Sequence, residues 1–224
     1  AWPAAVEMAV LMRCPGSSLR RGGWLPALGA WMALAAAAEG AEWHVRPGES
    51  IAQAVRQARA GDTITVERGD YREHLLFDKP LILRGHNRPT LSGDHRGDVI
   101  RVKAPDVTIE GLIIRDSGAD LTSQNAGIYI EPGAHRAVVR NNDVVHTLFG
   151  LWIERANDVE VANNLIVGRR DLQSAQRGNG IQLYNTTGAR ILDNHISFTR
   201  DGIYVDVSHH AVFRGNRMHD LRYG

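Results

Sequence analysis

The chain has little sulfur and almost no excess charge. Its 224 residues contain one cysteine, Cys14, two lysines, Lys79 and Lys103, and a formal net charge of +1. One thiol excludes an intramolecular disulfide and the cysteine clusters that hold zinc or copper(I). A net charge near zero gives no bulk electrostatic attraction for nucleic acid, so no nucleic-acid partner is expected.

The N-terminus has no apolar run long enough to cross a bilayer comfortably. Two arginines, Arg20 and Arg21, precede an apolar stretch that runs from Trp24 to Ala38 and ends in small residues. A short apolar run with this flank is typical of a cleaved signal peptide. Residues 1–40 are therefore predicted to be upstream residues and a cleavable signal peptide, with an uncleaved anchor as the alternative. Cys14 lies within them, so the exported chain would have no thiol.

What the chain does contain is a repeat of 22 residues. Each unit begins with a glycine and carries an asparagine 14 or 15 residues later, and an 8-residue insertion lengthens one unit. The markers are Gly127, Gly150, Gly180, Gly202 and Gly224, with Asn142, Asn164, Asn194 and Asn216. Self-similarity at such a period indicates a solenoid.

Within each unit, apolar residues alternate with polar ones, which is the period of a strand. Three such strands per unit, stacked turn on turn, predict an all-β fold: a parallel β-helix with three sheets around one apolar interior. The repeated asparagines are predicted to adopt the left-handed backbone conformation at the bends and to form a hydrogen-bonded ladder along the coil.

A different unit precedes the coil. Residues 50–58 have helical apolar spacing with Ser50 as N-cap, which predicts a short capping helix over the first strand edge. Residues 41–96 are assigned to this cap and the first irregular rungs, and residues 97–224 to regular rungs. Because Gly224 would begin a new unit, the natural protein is expected to continue.

Two insertions, near 115–126 and 168–179, fall at the same point of the repeat and should project beside one outer face. Alternation places aromatic, amide and acidic residues on that face, which is the candidate partner-binding face. Its members are Tyr129, Glu131, Trp152, Glu154, Gln182, Tyr184, Tyr204 and Asp206. Such a column suits a sugar-binding cleft or a protein interface, or it merely covers a β surface with residues of high strand propensity.

Histidines are the candidate metal ligands, since imidazole suits copper. His195 directly follows the repeat asparagine Asn194 and His219 follows Met218, whereas His209 and His210 lie at a bend. Turn and surface roles compete with metal binding, because no fixed ligand spacing occurs. The face offers carboxylates on neighbouring rungs, but regular stacking makes that spacing unspecific. No catalytic residue is assigned, and the chain is not expected to be an enzyme.

Three segments carry a family resemblance: GLWIE (150–154), RDLQSAQRGNGIQLYNTT (170–187) and SFTRDGIYVDVSHH (197–210). They closely resemble the NosD family. That resemblance implies a right-handed β-helix in the periplasm and an accessory role in copper-centre assembly of nitrous oxide reductase. It also implies work with an ABC-type ATPase and its membrane subunit, the reductase as client, a copper chaperone as a further partner, and copper bound transiently.

A carbohydrate-active β-helix, either a polysaccharide lyase or a C5-epimerase, is the alternative function. An aromatic and acidic face is compatible with it. The scarcity of lysines and the absence of a recognisable catalytic triplet favour the accessory role.

Overall fold

The computed structural model describes residues 40–223. The predicted signal peptide and Gly224 lie outside the described residues, apart from Gly40 at the boundary. Among residues 40–223, no helix has the length and apolar character needed to cross a membrane.

One α-helix, Ile51–Gln57 (α1), precedes most of the coil, as predicted. Its N-cap is Ser50, whose hydroxyl accepts a hydrogen bond from the Gln53 amide at 3.1 Å. The carboxylate of Glu73 accepts further bonds from the amides of Ile51 and Ala52, at 3.1 and 2.8 Å. These acceptors satisfy the free amides that begin a helix, while Ile51 and Val55 pack into the core.

Short strands make up most of the remaining chain. In order, those described are Glu42–Val45 (β1), Thr63–Val66 (β2), Asp70–Arg72 (β3), Leu75–Phe77 (β4), Ile82–Gly85 (β5), Thr90–Ser92 (β6), Ile100–Val102 (β7), Thr108–Glu110 (β8), Ile113–Arg115 (β9), Ala126–Ile130 (β10), Val138–Arg140 (β11), Asp143–Val145 (β12), Phe149–Glu154 (β13), Glu160–Ala162 (β14), Leu165–Val167 (β15), Ile181–Tyr184 (β16), Arg190–Leu192 (β17), His195–Ser197 (β18), Ile203–Asp206 (β19), Val212–Arg214 (β20) and Arg217–His219 (β21). A 3-10 turn, Ser174–Gln176, lies in the second insertion.

The strands form three parallel sheets, which confirms the predicted architecture. Sheet 1 contains β4, β7, β10, β13, β16 and β19; sheet 2 contains β1, β2, β5, β8, β11, β14, β17 and β20; sheet 3 contains β3, β6, β9, β12, β15, β18 and β21. Each full rung visits sheets 1, 2 and 3 in turn. The pairing runs unbroken from the first rungs into the regular repeat.

The interior columns have the predicted register. In sheet 1, Leu151 pairs with Ile128 below and Ile181 above. In sheet 2, Val161 pairs with Ile191. These side chains are fully buried, so one continuous aliphatic core holds the rungs together.

The asparagine ladder forms at the corner between sheets 2 and 3 (the asparagine corner). The side-chain oxygen of Asn164 accepts bonds from the backbone and side-chain nitrogens of Asn142, at 3.0 and 3.2 Å. In the same way, the side-chain oxygen of Asn194 accepts bonds from the backbone and side-chain nitrogens of Asn164, both at 3.0 Å. Each amide also donates to a strand carbonyl, as Asn164 does to Val139 at 2.9 Å.

The prediction that the ladder asparagines themselves adopt the left-handed conformation is wrong by one residue. Positive φ belongs to the residue before each ladder asparagine: Asn141 (56°), Asn163 (55°), Asp193 (53°) and Gly215 (68°). The exposed residue makes the bend, so that the next side chain turns inward to bond along the coil. Bending and laddering are therefore done by adjacent residues.

Candidate functional site

The outer face of sheet 1 brings the predicted face residues into two columns. Trp152 lies in register between Tyr129 and Gln182, and Tyr204 follows Gln182. A second column joins Glu154, Tyr184 and Asp206. Glu131 immediately follows β10.

Exposure along this face is uneven, which the alternation did not predict. Tyr129 and Gln182 are buried, at 8% and 5% exposed, whereas Tyr204 is 43% exposed. Residues near the two insertions cover part of the face in a small apolar cluster separate from the core. That cluster contains Ala126, Tyr129, Leu148 and Phe149, with Trp152 and Leu172 packed against it.

Beside this cluster lies an open groove of about 570 Å³ (the sheet-1 groove). It is bounded by the first insertion on one side and by strands of three rungs beneath. The lining residues are Leu121, Gln124, Phe149, Trp152, Glu154, Arg155, Gln182, Tyr184, Arg200, Tyr204 and Asp206. The surface thus combines aromatic rings with charges of both signs.

Two carboxylates of this face, Glu154 and Glu131, already have partners. The Tyr129 hydroxyl donates to Glu154 at 2.6 Å, and Arg155 lies 3.2 Å from the other oxygen of Glu154. Arg101 donates to Glu131 at 2.9 Å. Burial raises the pKa of the Tyr129 phenol, and its hydrogen bond to Glu154 raises that pKa further. Carboxylates held in this way suit a binding surface better than proton transfer to a substrate.

The four histidines predicted as metal ligands do not converge. His195 and His219 approach each other across adjacent rungs of sheet 3, with 2.7 Å between their Nε2 atoms. The second ring nitrogen of His219 lies 2.8 Å from the Asp220 carboxylate. His209 and His210 instead lie at the corner between sheets 1 and 2, after β19.

A different cluster was missed by the sequence analysis. Within residues 40–223, one group of three potential metal-ligating side chains has donor atoms all within 4.8 Å of one another: His95, Asp116 and His146. Asp116 and His146 each follow a sheet 3 strand directly, so aligning the repeats at that point would have placed them in one column. His95 lies three residues after β6, where no spacing signal marked it.

Comparison with known proteins agrees with the architecture. The family described as right handed beta helix region matches residues 98–224. The crystal structure of the Dettilon tailspike protein (gp208) matches with a TM-score of 0.56 and 13% identity, covering 74% of this chain and 34% of the tailspike chain. A likeness at this identity concerns the fold alone, and it confirms the right-handed parallel β-helix.

Three curated relatives carry the name "Probable ABC transporter binding protein NosD". Those of Stutzerimonas stutzeri and Pseudomonas aeruginosa are each 36% identical over 134 residues, which is 60% of this chain. The match spans 31% of the length of each of these two relatives. A shorter relative from Pseudomonas aeruginosa is 30% identical over 106 residues, and the match covers 93% of it. The chain belongs to the NosD family of right-handed β-helix proteins.

Proposed function

We propose that this chain is part of a periplasmic accessory protein that serves as a scaffold for copper-centre assembly in nitrous oxide reductase. In this proposal it acts with an ABC-type transporter, comprising an ATPase and a membrane subunit, and receives copper from a chaperone. The name of the curated relatives, which speaks of ABC transporter binding, supports the transporter partnership.

The sheet-1 groove is the observation that carries this proposal. Aromatic residues and arginine are enriched where proteins meet, and Tyr204, Arg155 and Arg200 supply both at the groove. The groove lies on a sheet whose rungs are tied to their neighbours by backbone bonds, so a docked partner would meet a rigid surface. We assign the groove to docking of a protein partner.

Copper in transit is assigned to the paired histidines of sheet 3. His195 and His219 present two imidazole nitrogens on the outer surface, and Asp220 bonds to the far nitrogen of His219. A carboxylate behind a histidine is the usual second partner of a metal-ligating imidazole. His209 and His210, at another corner, are left out of this pair.

The test uses a host that carries this gene and a nitrous oxide reductase. Deletion of the gene should lower the copper content of the purified reductase, and the wild-type gene should restore it. Tyr204→Ala at the groove and His195→Ala/His219→Ala at the pair should each restore less copper. Val212→Ala is the matched control, because Val212 is similarly exposed (49% against 43% for Tyr204) but lies on sheet 2, outside both the groove and the histidine pair.

A reductase with full copper in the deletion host would contradict the proposal. The carbohydrate alternative is tested separately, with this chain itself purified. Activity on alginate or pectin that disappears in Glu154→Gln would support a lyase or epimerase instead.

A further inference from the structure

Three side chains with metal-binding chemistry meet at the corner between sheets 3 and 1 (the insertion corner), where both insertions begin. The Nδ1 atom of His146 lies 2.8 Å from an oxygen of Asp116. The ring of His95 stands edge-on to that of His146, with 5.7 Å between centroids. The three residues come from successive turns of the coil, so the stacking itself creates the cluster.

Asp116 is prepared as an anionic ligand. Its side chain is almost fully buried, and its second oxygen is held by the Ser92 hydroxyl at 3.0 Å and by Arg115 at 2.7 Å. Burial alone raises the pKa of Asp116, but the bonds from His146, Ser92 and Arg115 outweigh it and hold that pKa below its ordinary value. The oxygen that faces His146 is not the one held by Ser92 and Arg115, and it is turned toward the cluster.

His146 also has a carboxylate behind it. The Nε2 atom of His146 lies 3.5 Å from an oxygen of Asp171, on the side opposite Asp116. Asp171 is fixed by two bonds from Arg169, at 2.8 and 2.5 Å. One ring nitrogen thus faces the cluster while the other faces an outer acid, which is the arrangement of metal-ligating histidines.

Backbone conformation alone does not mark this site. His95, Asp116 and His146 have φ of 58°, 59° and 55°, but left-handed residues recur at corners throughout the coil. What distinguishes this corner is the side chains it carries, and Asp171 of the second insertion completes their surroundings.

We propose that His95, Asp116 and His146 bind one divalent first-row transition-metal ion, with Asp171 as an outer-sphere partner of His146. Two imidazoles and one carboxylate suit ions such as Zn²⁺, Co²⁺ and Cu²⁺, and the set has none of the sulfur ligands that select copper(I). This inference does not depend on a role in copper-centre assembly, and it involves none of the histidines assigned to copper transit.

The experiment is calorimetric titration of the purified, untagged protein with Zn²⁺, repeated by absorbance with Co²⁺, whose spectrum reports its ligands. One equivalent of each ion should bind. Loss of an outer-sphere partner weakens metal affinity by about 10–100-fold, which is the expectation for Asp171→Asn. His95→Ala and His146→Ala remove ligands and should weaken binding further.

His86→Ala is the matched control, because it removes an exposed histidine outside the cluster. His95 is exposed, so His95→Ala should fold and report on metal binding even if changes at the buried Asp116 prevent folding. The proposal is overturned if wild-type protein binds neither ion, or if His95→Ala/His146→Ala binds Zn²⁺ as tightly as His86→Ala. Loss of the Co²⁺ spectrum in His195→Ala/His219→Ala, with the cluster intact, would also overturn it.

Discussion

The asparagine corner and the insertion corner both turn the chain between sheets, but they carry different kinds of side chain. Both must turn the chain sharply once per rung. At the asparagine corner, Asn142, Asn164 and Asn194 repeat the same residue and the same bonds. At the insertion corner, the residue after the sheet 3 strand changes from Asp116 to His146 and then to Gly168.

The uniform column, formed by Asn142, Asn164 and Asn194 at the asparagine corner, stabilises the coil. Buried amides bond to each other and to strand carbonyls, so no member needs solvent or an ion. The variable column at the insertion corner contains one carboxylate and one imidazole, and two insertions that break the period begin beside it. In this coil, the repeated asparagines stabilise the fold. The corner that departs from the repeat carries the ionisable side chains of the candidate metal cluster.

The largest expected effect is at the uniform column. Asn164→Ala would leave the buried backbone N–H of Asn142 and one of its side-chain N–H groups without their acceptor. Each buried polar group left unpaired costs about 1–3 kcal/mol, so the free energy of unfolding should fall by roughly 2–6 kcal/mol. Urea unfolding followed by circular dichroism measures this loss.

The ladder contains no ionisable side chain, so the loss in Asn164→Ala should be the same at pH 7 and near pH 4. A small loss, or one that varies strongly with pH, would mean that the asparagine column does not stabilise the coil through buried amide bonds.

The variable column should behave differently with pH. Asp116→Asn keeps a residue that tolerates left-handed φ but removes the charge that binds His146, Ser92 and Arg115, at a cost of about 1–3 kcal/mol near pH 7. The pKa of Asp116 is lower in the folded state than its ordinary value of 3.8. Its stabilisation is therefore present above pH 3.8 and is lost as pH falls through the lower, folded-state value.

The measurement is the difference in unfolding free energy between wild type and Asp116→Asn across this pH range, in metal-free buffer. We expect the difference to shrink on acidification. A difference that stays constant below pH 3.8 would show that packing, rather than charge, is what Asp116 contributes.

The repeat was enough to predict the fold, because alternation and a fixed period determine which residues share a column. Ile128, Leu151 and Ile181 stack as that argument requires. The burial of Tyr129 and Gln182 could not be obtained in this way. It depends on how aperiodic segments pack, and aperiodic segments give no register from which to place a neighbour.

The candidate metal cluster could not be predicted from the sequence for a related reason. His146 and Asp116 are 30 residues apart rather than 22, because an insertion lengthens the turn between them. Fixed ligand spacing along the chain does not reveal such a cluster, because its members are separated by a turn of the coil. His95 lies at the same corner on the preceding turn, three residues after β6, at a position that the regular repeat does not mark.

The smallest expected effect separates bending from laddering at adjacent residues. Asn163 is exposed and left-handed, and Asn164 is buried in the ladder. Alanine in a left-handed conformation costs about 1–2 kcal/mol relative to a right-handed one, and asparagine and glycine adopt it more easily. Asn163→Ala should therefore lower the unfolding free energy by about 1 kcal/mol, and Asn163→Gly by less, because glycine loses only chain entropy there. Asn163→Ala and Asn164→Ala can be compared in the same urea experiment. If both lowered the unfolding free energy equally, Asn163 would contribute more than the bend, and bending and laddering would not be separate roles of the two asparagines.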